Sequence, residues 1–578
     1  MHYTYCFDNL ASVFDTPRCV DFVSAVHEND RWFDFAAFRR TAEYCRRAMA
    51  EAGLTEVESL PLQADGKTPH GDWVIPKAWD VKHAKLSVAG GGVITDYRDV
   101  PCSLAMYSAS TRPGGIIASV VIADDEETMQ TADFNGKFVL TRLAPGRALA
   151  LSKSGKAAGI VSDCLGLIPG IRDSRADAYD AHLWDNGFQA FDDAGLFAFC
   201  LSPRMGDRLR KLLAQDPDTL LHADIETRRY DGEVHTISGL LPGSVPGAGE
   251  VLVYGHLYEP GAHDNASGCG LMLELATALS RAVETGAMAR PRRGIRFVMG
   301  WECGGSMGWC AAHPELVSRT VCAIVPDMVG SGEKNNASMK VWHNPLSNWS
   351  YIDVLIHDIM AAYEAFNPGG NAVSSQVFNI GTDNILADPC FNVPTVALVM
   401  HPALSYHSSM DTMALIEPDV LYRNGIVTGT FLLYMANAGT AEIPHLSGLL
   451  ERGMQKDMTG ASGMKAYSIR NAYARAMVSL ERLLIPASPQ AGWDRIPTRT
   501  ALGTLTLDKL ENRASLPYKF AWNTALHIPL FWADGRRTMW QIAELSAAET
   551  DELDLHKHYE SIAACCNFLF MNGYIAFE

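Results

Sequence analysis

The stretch Val251–Gly268, VLVYGHLYEPGAHDNASG, predicts a buried strand, a loop and the start of a helix. The apolar run Val251–Tyr254 is typical of the strand, and the periodic run Leu271–Leu279 is typical of the helix. His256 and Asp264 therefore lie between a strand end and a helix N-terminus. In open α/β sheets, ligands bind outside the carboxyl ends of the strands. An imidazole and a carboxylate in that place suit a hydrolytic zinc centre. A polar turn with a helix cap explains this stretch equally well when it is taken alone.

Size and composition exclude several other classes of protein. A chain of 578 residues with 48% hydrophobic and 20% charged residues is typical of a folded protein of several domains. The net charge of −18 argues against a general nucleic-acid binder, which needs clustered Lys and Arg. The first residues resemble no signal peptide, and no apolar run is long enough to span a membrane. The 13 cysteines show no paired CxxC pattern, so we expect reduced thiols and a cytoplasmic location.

The order of patterns predicts three units. Residues 1 to about 58 are expected to be helical, and strands alternate with helices from about Val234. This alternation predicts an α/β fold with a mostly parallel sheet and helices on both faces. We expect residues 1–59 and 234–441 to form the catalytic domain, residues 60–233 an inserted β-rich domain, and residues 442–578 a helical linker and a C-terminal domain.

The tail has the pattern of a winged helix. Thr538–Leu545 and Leu555–Met571 are predicted helices, and Gly573–Phe577 is a predicted closing strand. Ala501–Glu578 contains six Lys and Arg against ten Asp and Glu, whereas a unit that reads DNA should be basic. We therefore consider binding to nucleic acid unlikely and favour an assembly or docking module.

Three segments beyond the opening stretch also place metal-binding or acid-base groups at strand ends. The groups are Glu302 and Cys303, then Asp327, and then Tyr406, His407 and Asp411. An Asp after a strand is usually a turn or cap residue, and a lone His is usually structural. Their common position at one edge of one predicted sheet favours a metal site.

In order and spacing, these motifs resemble those of the MH-clan zinc aminopeptidases. The motifs are His256, AHDNASG around Asp264, the acidic segment at Glu302, DMVG at Asp327 and YHSSMDT at His407. The whole architecture resembles bacterial aminopeptidase-like proteins with an inserted protease-associated-like domain and a C-terminal winged helix. The run of residues 133–163 carries the likeness to the inserted domain, for which substrate access and a purely structural role are both open.

The resemblance implies a zinc-exopeptidase-like fold and a set of metal ligands. His256 and Asp327 would hold one zinc ion, and His407 would hold a second. Asp264 would bridge the two ions with its two oxygens. Whether one or two ions bind is open.

The resemblance also implies the catalytic residues Glu302 and Tyr406. Glu302 would be the general base, and Tyr406 would donate a hydrogen bond to the oxygen of the attacked carbonyl. The family usually has two adjacent acids here, but Cys303 occupies the second position. If Glu302 is instead aligned with the second acid of the family pair, it is a metal ligand and the general base is missing. A buried, inert Cys303 is favoured over a zinc thiolate.

Two other positions depart from the family. Tyr258 stands where an Asp usually orients the first His, and this weakens the expected support of His256. His263, beside Asp264, is expected to form local hydrogen bonds.

The leading functional hypothesis is a zinc-dependent aminopeptidase or amide hydrolase. Its expected substrate is a short peptide or a small aminoacyl-amide. Asp383 is a candidate for recognition of the free α-amino group, with a loop cap as the alternative. The competing hypothesis is an inactive metal-binding scaffold that binds peptide or protein partners. Both a monomer and a homo-oligomer are open.

Overall fold

The computed structural model describes residues 3–152, 156–191, 195–245, 248–370, 373–483, 495–511, 515–535, 539, 542, 546, 549 and 555–577. The strands are β1 (Thr55–Ala64), β2 (Pro69–His70), β3 (Trp73–Val74), β4 (Ala78–Val88), β5 (Val93–Asp96), β6 (Ile116–Ile122), β7 (Phe138–Thr141), β8 (Gly159–Ser162), β9 (Ala198–Cys200), β10 (Leu220–Tyr230), β11 (Gly232–Leu241), β12 (Glu250–Leu257), β13 (Gly294–Trp301), β14 (Thr320–Asp327), β15 (Met339–Trp342), β16 (Val373–Gln376), β17 (Thr395–Met400), β18 (Pro497–Arg499) and β19 (Ile575–Phe577). The α-helices are α1 (Tyr3–Val13), α2 (Thr16–Asp30), α3 (Phe35–Glu51), α4 (Glu126–Thr131), α5 (Pro145–Ser152), α6 (Pro203–Gln215), α7 (Ala266–Glu284), α8 (Gly304–Ala312), α9 (Pro314–Arg319), α10 (Tyr351–Phe366), α11 (Pro418–Asn437), α12 (Ile443–Asp457), α13 (Gly463–Ser479), α14 (Thr524–Phe531) and α15 (Leu555–Met571).

The first sheet carries the predicted α/β pattern. Its eight strands lie in the order β1-β11-β13-β12-β14-β17-β15-β16. The central strands β13, β12, β14 and β17 are parallel, whereas β1 with β11, β11 with β13, and β15 with β17 are antiparallel pairs. Helices α3, α7, α8 and α11 pack against these strands. The predicted α/β class with a largely parallel central sheet is confirmed.

The parallel centre of this sheet brings the predicted site residues to one edge. His256 on β12 is in register with Gly300 on β13, and Asp327 on β14 is in register with Val399 on β17. Parallel strands end at the same edge, so the loops that follow β12, β13, β14 and β17 meet there. Helix α7 starts at this edge, where the Asn265 side chain accepts a hydrogen bond from the Gly268 N–H at 3.1 Å.

The N-terminal helices stop earlier than the sequence predicts. Helix α3 ends at Glu51, and Gly53 follows with φ at 82°, a left-handed conformation that commonly ends a helix. Strand β1 begins at Thr55, so the expectation of helix up to about residue 58 is wrong by a few residues.

A second sheet lies in the segment between β1 and β11. Its seven strands have the order β5-β4-β10-β6-β7-β8-β9. Strand β10 ends at Tyr230 and β11 begins at Gly232, so the chain passes almost directly from the second sheet into the first. The boundaries at residues 60 and 233, and the likeness to a protease-associated domain, stay predictions.

The C-terminal part has a small core of its own, which includes Leu505, Phe520 and Leu569. Helix α15 spans Leu555–Met571 as predicted, and β19 pairs with β18 in antiparallel fashion. The predicted helix Thr538–Leu545 falls almost entirely outside the described residues, and the winged-helix assignment stays a prediction. No helix in the described ranges is both long and apolar enough to cross a membrane.

Candidate metal centre

His256 lies near the end of β12 with only 1% of its surface exposed. Its Nδ1 is 3.1 Å from Asp383 Oδ2, and its Nε2 is 3.4 Å from Asp264 Oδ1. Burial alone would lower the pKa of His256, but the charges of Glu302, Asp264 and Asp383 outweigh it and raise the pKa well above the usual range. The contact with Asp383 keeps a proton on Nδ1, so Nε2 is the nitrogen that a metal ion would bind, in place of the proton that it shares with Asp264.

Asp264 lies between two histidines. Its Oδ1 faces His256 Nε2 at 3.4 Å, and its Oδ2 faces His407 Nε2 at 3.5 Å. Burial opposes ionisation of this carboxyl, but the two imidazoles hold its pKa well below the usual range. Each carboxylate oxygen therefore faces one histidine, which is the geometry of a group that bridges two positions.

The loop that carries Asp264 is fixed by Asp411. Asp411 Oδ1 accepts a hydrogen bond from the His263 N–H at 2.7 Å, and Oδ2 accepts one from the Asp264 N–H at 3.1 Å. A Cβ at Gly261 would lie 2.4 Å from Asp411 Oδ2, so only glycine allows this close approach. Burial raises the pKa of Asp411 to about 8. Asp411 thus positions the loop.

Glu302 and Asp327 also lie close to His256. Burial raises the pKa of Asp327 to about 7, although the charge of His256 opposes this rise. Burial likewise raises the pKa of Glu302 well above its usual range, and the charge of Asp327 adds to the effect. Asp327 Oδ1 is buried without a hydrogen-bond partner among the described residues. A buried carboxylate oxygen without a partner is costly unless a cation binds it.

His407 is held between two aromatic rings. Its ring stacks on Tyr406, with the ring centroids 3.9 Å apart. The centroid of the Trp184 ring lies 4.9 Å from that of His407, and the two rings are tilted by 33°. The backbone N–H of Trp184 also donates to the His407 carbonyl oxygen at 3.2 Å. Burial raises the pKa of Tyr406, and the charge of Asp264 raises it further, so its hydroxyl stays protonated and able to donate. The structure therefore places Tyr406, His407 and Asp264 at one site.

Glu259 belongs to the same cluster, although the sequence patterns do not single it out. The ligand atoms of His256, Glu259 and Asp264 all lie within 4.8 Å of one another. Glu259 is 8% exposed, and its Oε2 lies 3.9 Å from His256 Nε2. The sequence did contain one sign of its role, because Glu259 is an acidic residue in the short loop between the predicted ligands His256 and Asp264.

Cys303 and Tyr258, where the sequence departs from the clan pattern, have structural partners instead. The Cys303 N–H donates to Asp383 Oδ1 at 2.8 Å, and Cys303 Sγ lies 3.5 Å from the Thr382 carbonyl oxygen. Tyr258 donates its backbone N–H to Asp30 Oδ2 at 2.8 Å. The carboxylate that supports His256 therefore comes from Asp383, in a different part of the chain.

His263 points to the backbone beside the site. Its Nε2 lies 3.3 Å from the Met400 carbonyl oxygen, and burial lowers its pKa to about 4. This contact agrees with a local hydrogen-bonding role.

Residues 237–432 match the family model described as peptidase family M28. This segment is a peptidase family M28 domain. It contains every predicted site residue from His256 to His407, together with Glu259 and Asp383. The matched segment is thus similar to the peptidases that this family model describes.

Solved structures share the fold of this chain. A candidate peptidase from Clostridium acetobutylicum superimposes with a TM-score of 0.52 at 14% identity, covering 100% of this chain and 99% of that chain. BSAP, a zinc aminopeptidase from Bacillus subtilis, gives a TM-score of 0.52 at 18% identity, covering 73% of this chain and 95% of that chain. At these identities the likeness concerns the fold alone. No curated protein matches the chain.

The residues of the M28 domain fit a divalent metal ion. Burial, together with the charges of neighbouring carboxylates, raises the pKa values of Glu302, Asp327 and Glu259 around His256. A cation would offset this negative charge and would give the unpartnered Asp327 Oδ1 a ligand to bind. Imidazole and carboxylate donors of this kind suit zinc and related metals.

Proposed function

We propose that this protein is a zinc-dependent aminopeptidase that removes N-terminal residues from short peptides or cleaves a small aminoacyl-amide. One observation carries the proposal: the two oxygens of Asp264 face His256 and His407 at 3.4 and 3.5 Å. A bridging carboxylate between two histidines is the core of a site for two hydrolytic metal ions.

His256 and Asp327 would hold one zinc ion, His407 would hold the second, and Asp264 would contact both. When bound, zinc lowers the pKa of a water ligand to about 7 and polarises the substrate carbonyl. Both effects are needed for amide hydrolysis at neutral pH.

Glu302 and Tyr406 supply the proton chemistry. Glu302 takes a proton from the attacking water and passes it to the leaving amine, which departs as a neutral group. The Tyr406 hydroxyl donates a hydrogen bond to the carbonyl oxygen as negative charge develops on it.

The test is hydrolysis of aminoacyl-nitroanilides by the purified protein and by Glu302→Gln. We expect Glu302→Gln to lose about 10²- to 10⁴-fold in kcat while it keeps its metal content. Glu284→Gln, at an exposed position on α7, is the matched control and should keep full activity. Equal kcat for Glu302→Gln and the native protein would refute the role of Glu302.

Metal content per chain, with and without His407→Ala, tests the number of ions. We expect the native protein to bind two ions and His407→Ala to lose one. Stoichiometric zinc with no turnover on any aminoacyl substrate would favour the competing hypothesis of a binding scaffold.

A cytoplasmic location is part of the same proposal. It rests on the cysteines, because all 13 are free thiols and 11 of them are buried. Free thiols are typical of reducing compartments.

A further inference from the structure

Glu259 is a buried carboxylate for which the proposed mechanism has no role. It follows β12 in the loop that leads to Asp264, and 8% of its surface is exposed. The carboxylates of Asp264 and Glu302 lie close enough for their charges to interact with it. A carboxylate is rarely buried among other carboxylates unless a cation is bound there.

The Glu259 carboxylate lies close to His256 and Asp264. Its Oε2 lies 3.9 Å from His256 Nε2, and ligand atoms of Glu259, His256 and Asp264 lie within 4.8 Å of one another. His256 Nε2 is the nitrogen left free by the contact of Nδ1 with Asp383. The three donor atoms are therefore close enough together to bind one metal ion, as the protein ligands of a four-coordinate metal do.

The second observation is the unpartnered oxygen of Asp327. Asp327 Oδ1 is buried without a hydrogen-bond partner among the described residues, and Asp327 lies near enough to Glu259 for their charges to interact. Two buried carboxylates next to the same imidazole point to a ligand that is a cation.

Cys303 is not placed for this task. Its N–H is bound to Asp383 and its Sγ lies near the Thr382 carbonyl oxygen.

We propose that Glu259 is a further ligand of the metal ion held by His256 and Asp264. The proposal rests on the proposed function for the existence of the metal centre. It adds a ligand from a loop in which the clan pattern places none.

The test compares Glu259→Gln with Cys303→Ser in the full-length protein, using titration calorimetry with Zn²⁺ and with Co²⁺. We expect Glu259→Gln to bind the tighter ion at least about tenfold more weakly, since the loss of even a supporting residue costs about 10- to 100-fold. Cys303→Ser should keep the native affinity. The Co²⁺-loaded native protein should show no thiolate-to-cobalt charge-transfer band. Circular dichroism of the metal-free proteins checks that both variants are folded.

The outcomes separate this inference from the proposed function. Native affinity in Glu259→Gln overturns the inference while the metal centre itself stands. Unchanged metal affinity with a raised KM for substrates that carry a free α-amino group, but not for N-acetylated ones, also overturns it and makes Glu259 a substrate-binding residue. A charge-transfer band that disappears in Cys303→Ser overturns it in favour of Cys303. Absence of metal in the native protein overturns the proposed function.

Discussion

At the residue scale, Asp383 orients His256. The clan pattern assigns this role to an Asp two residues after that histidine, where this chain has Tyr258. Its two oxygens contact His256 Nδ1 and the Cys303 N–H at 3.1 and 2.8 Å. The first contact fixes the ring and its tautomer, and the second fixes the loop after β13. With both oxygens engaged, the structure favours positioning over recognition of the substrate amino group.

Asp383→Asn should weaken metal binding about 10- to 100-fold, because an amide supports the Nδ1 proton of His256 less well than a carboxylate. The measurement is titration calorimetry with Zn²⁺. Asp419→Asn, at an exposed position on α11, is the control and should match the native protein. A native affinity in Asp383→Asn would contradict the positioning role.

The sequence predicts most of the site residues but misses Glu259 and the contact that Asp383 makes with His256. His256, Asp327 and His407 are visible because they follow apolar runs that end at one edge of the sheet. Glu259 lies in an irregular loop, where no periodic pattern says which way a side chain points. The contact between Asp383 and His256 joins positions 127 residues apart, and no local pattern reports such a distance.

At the scale of elements, the segment between β8 and β9 packs over the loop of His407. Trp184 contacts the His407 ring, and Arg172, only 1% exposed, donates to the carbonyl oxygens of Leu404 and Tyr406 at 3.1 and 3.3 Å. His407 has φ at 51°, so its backbone depends on these neighbours to hold an unfavoured conformation. The second sheet thus supports one side of the metal centre.

Trp184→Ala should weaken the support of His407 and lower kcat/KM about tenfold or more, because small displacements of catalytic groups are costly. Trp184→Phe keeps an aromatic ring and should lose much less. Steady-state kinetics with an aminoacyl-nitroanilide, together with metal content, measures the effect. Equal losses in both variants would show that the stacked ring is not the cause.

The elements themselves are predicted best where one pattern dominates. The strand at Val251–Tyr254 and the helix after it appear as β12 and α7, since both are buried along nearly their full length. The second sheet is harder, because short strands such as β7 and β8 carry no signal of their partners or direction. The winged-helix assignment of the tail stays a prediction.

At the scale of the whole molecule, the C-terminal part is joined to the M28 domain by a buried ion pair. Arg499 Nη1 lies 2.8 Å from Asp388 Oδ2, and the two side chains are 7% and 0% exposed. The Asp72 carboxylate, between β2 and β3, ties the C-terminal part to a second region of the chain, since it accepts hydrogen bonds from the N–H groups of Thr506 and Leu507. Such contacts make the C-terminal part an integral piece of the fold.

Arg499→Ala should lower the free energy of unfolding by about 3–5 kcal/mol, because it leaves Asp388 buried without its partner. The double variant Asp388→Asn/Arg499→Ala removes the unpaired charge and should recover part of the loss. Urea unfolding followed by circular dichroism measures both. Arg46→Ala, which breaks an exposed pair with Glu43, is the control and should change stability far less.

His527 makes the C-terminal part sensitive to acid. Its ring is fully buried, with Nδ1 2.9 Å from the Asn523 carbonyl oxygen, and burial lowers its pKa to about 4. The unfolded chain therefore binds a proton before the folded chain does, and stability present above about pH 6.5 is lost as the pH falls towards 4.

His527→Gln should remove this dependence. The difference in unfolding free energy between the native protein and His527→Gln should shrink by roughly 2 kcal/mol between pH 7 and pH 5. Urea titrations at several pH values measure it. A difference that stays constant across this range would contradict the role of His527.

The support that Trp184 and Arg172 give to His407 has a consequence for dissecting the chain. Both residues lie outside residues 237–432, as does Asp30, whose carboxylate holds the backbone of Tyr258. A gene fragment that encodes the M28 segment alone would lack the groups that keep His407 and the end of β12 in place. The candidate metal centre therefore depends on residues outside the M28 segment, and transplanting the segment into another scaffold would require these contacts to be rebuilt.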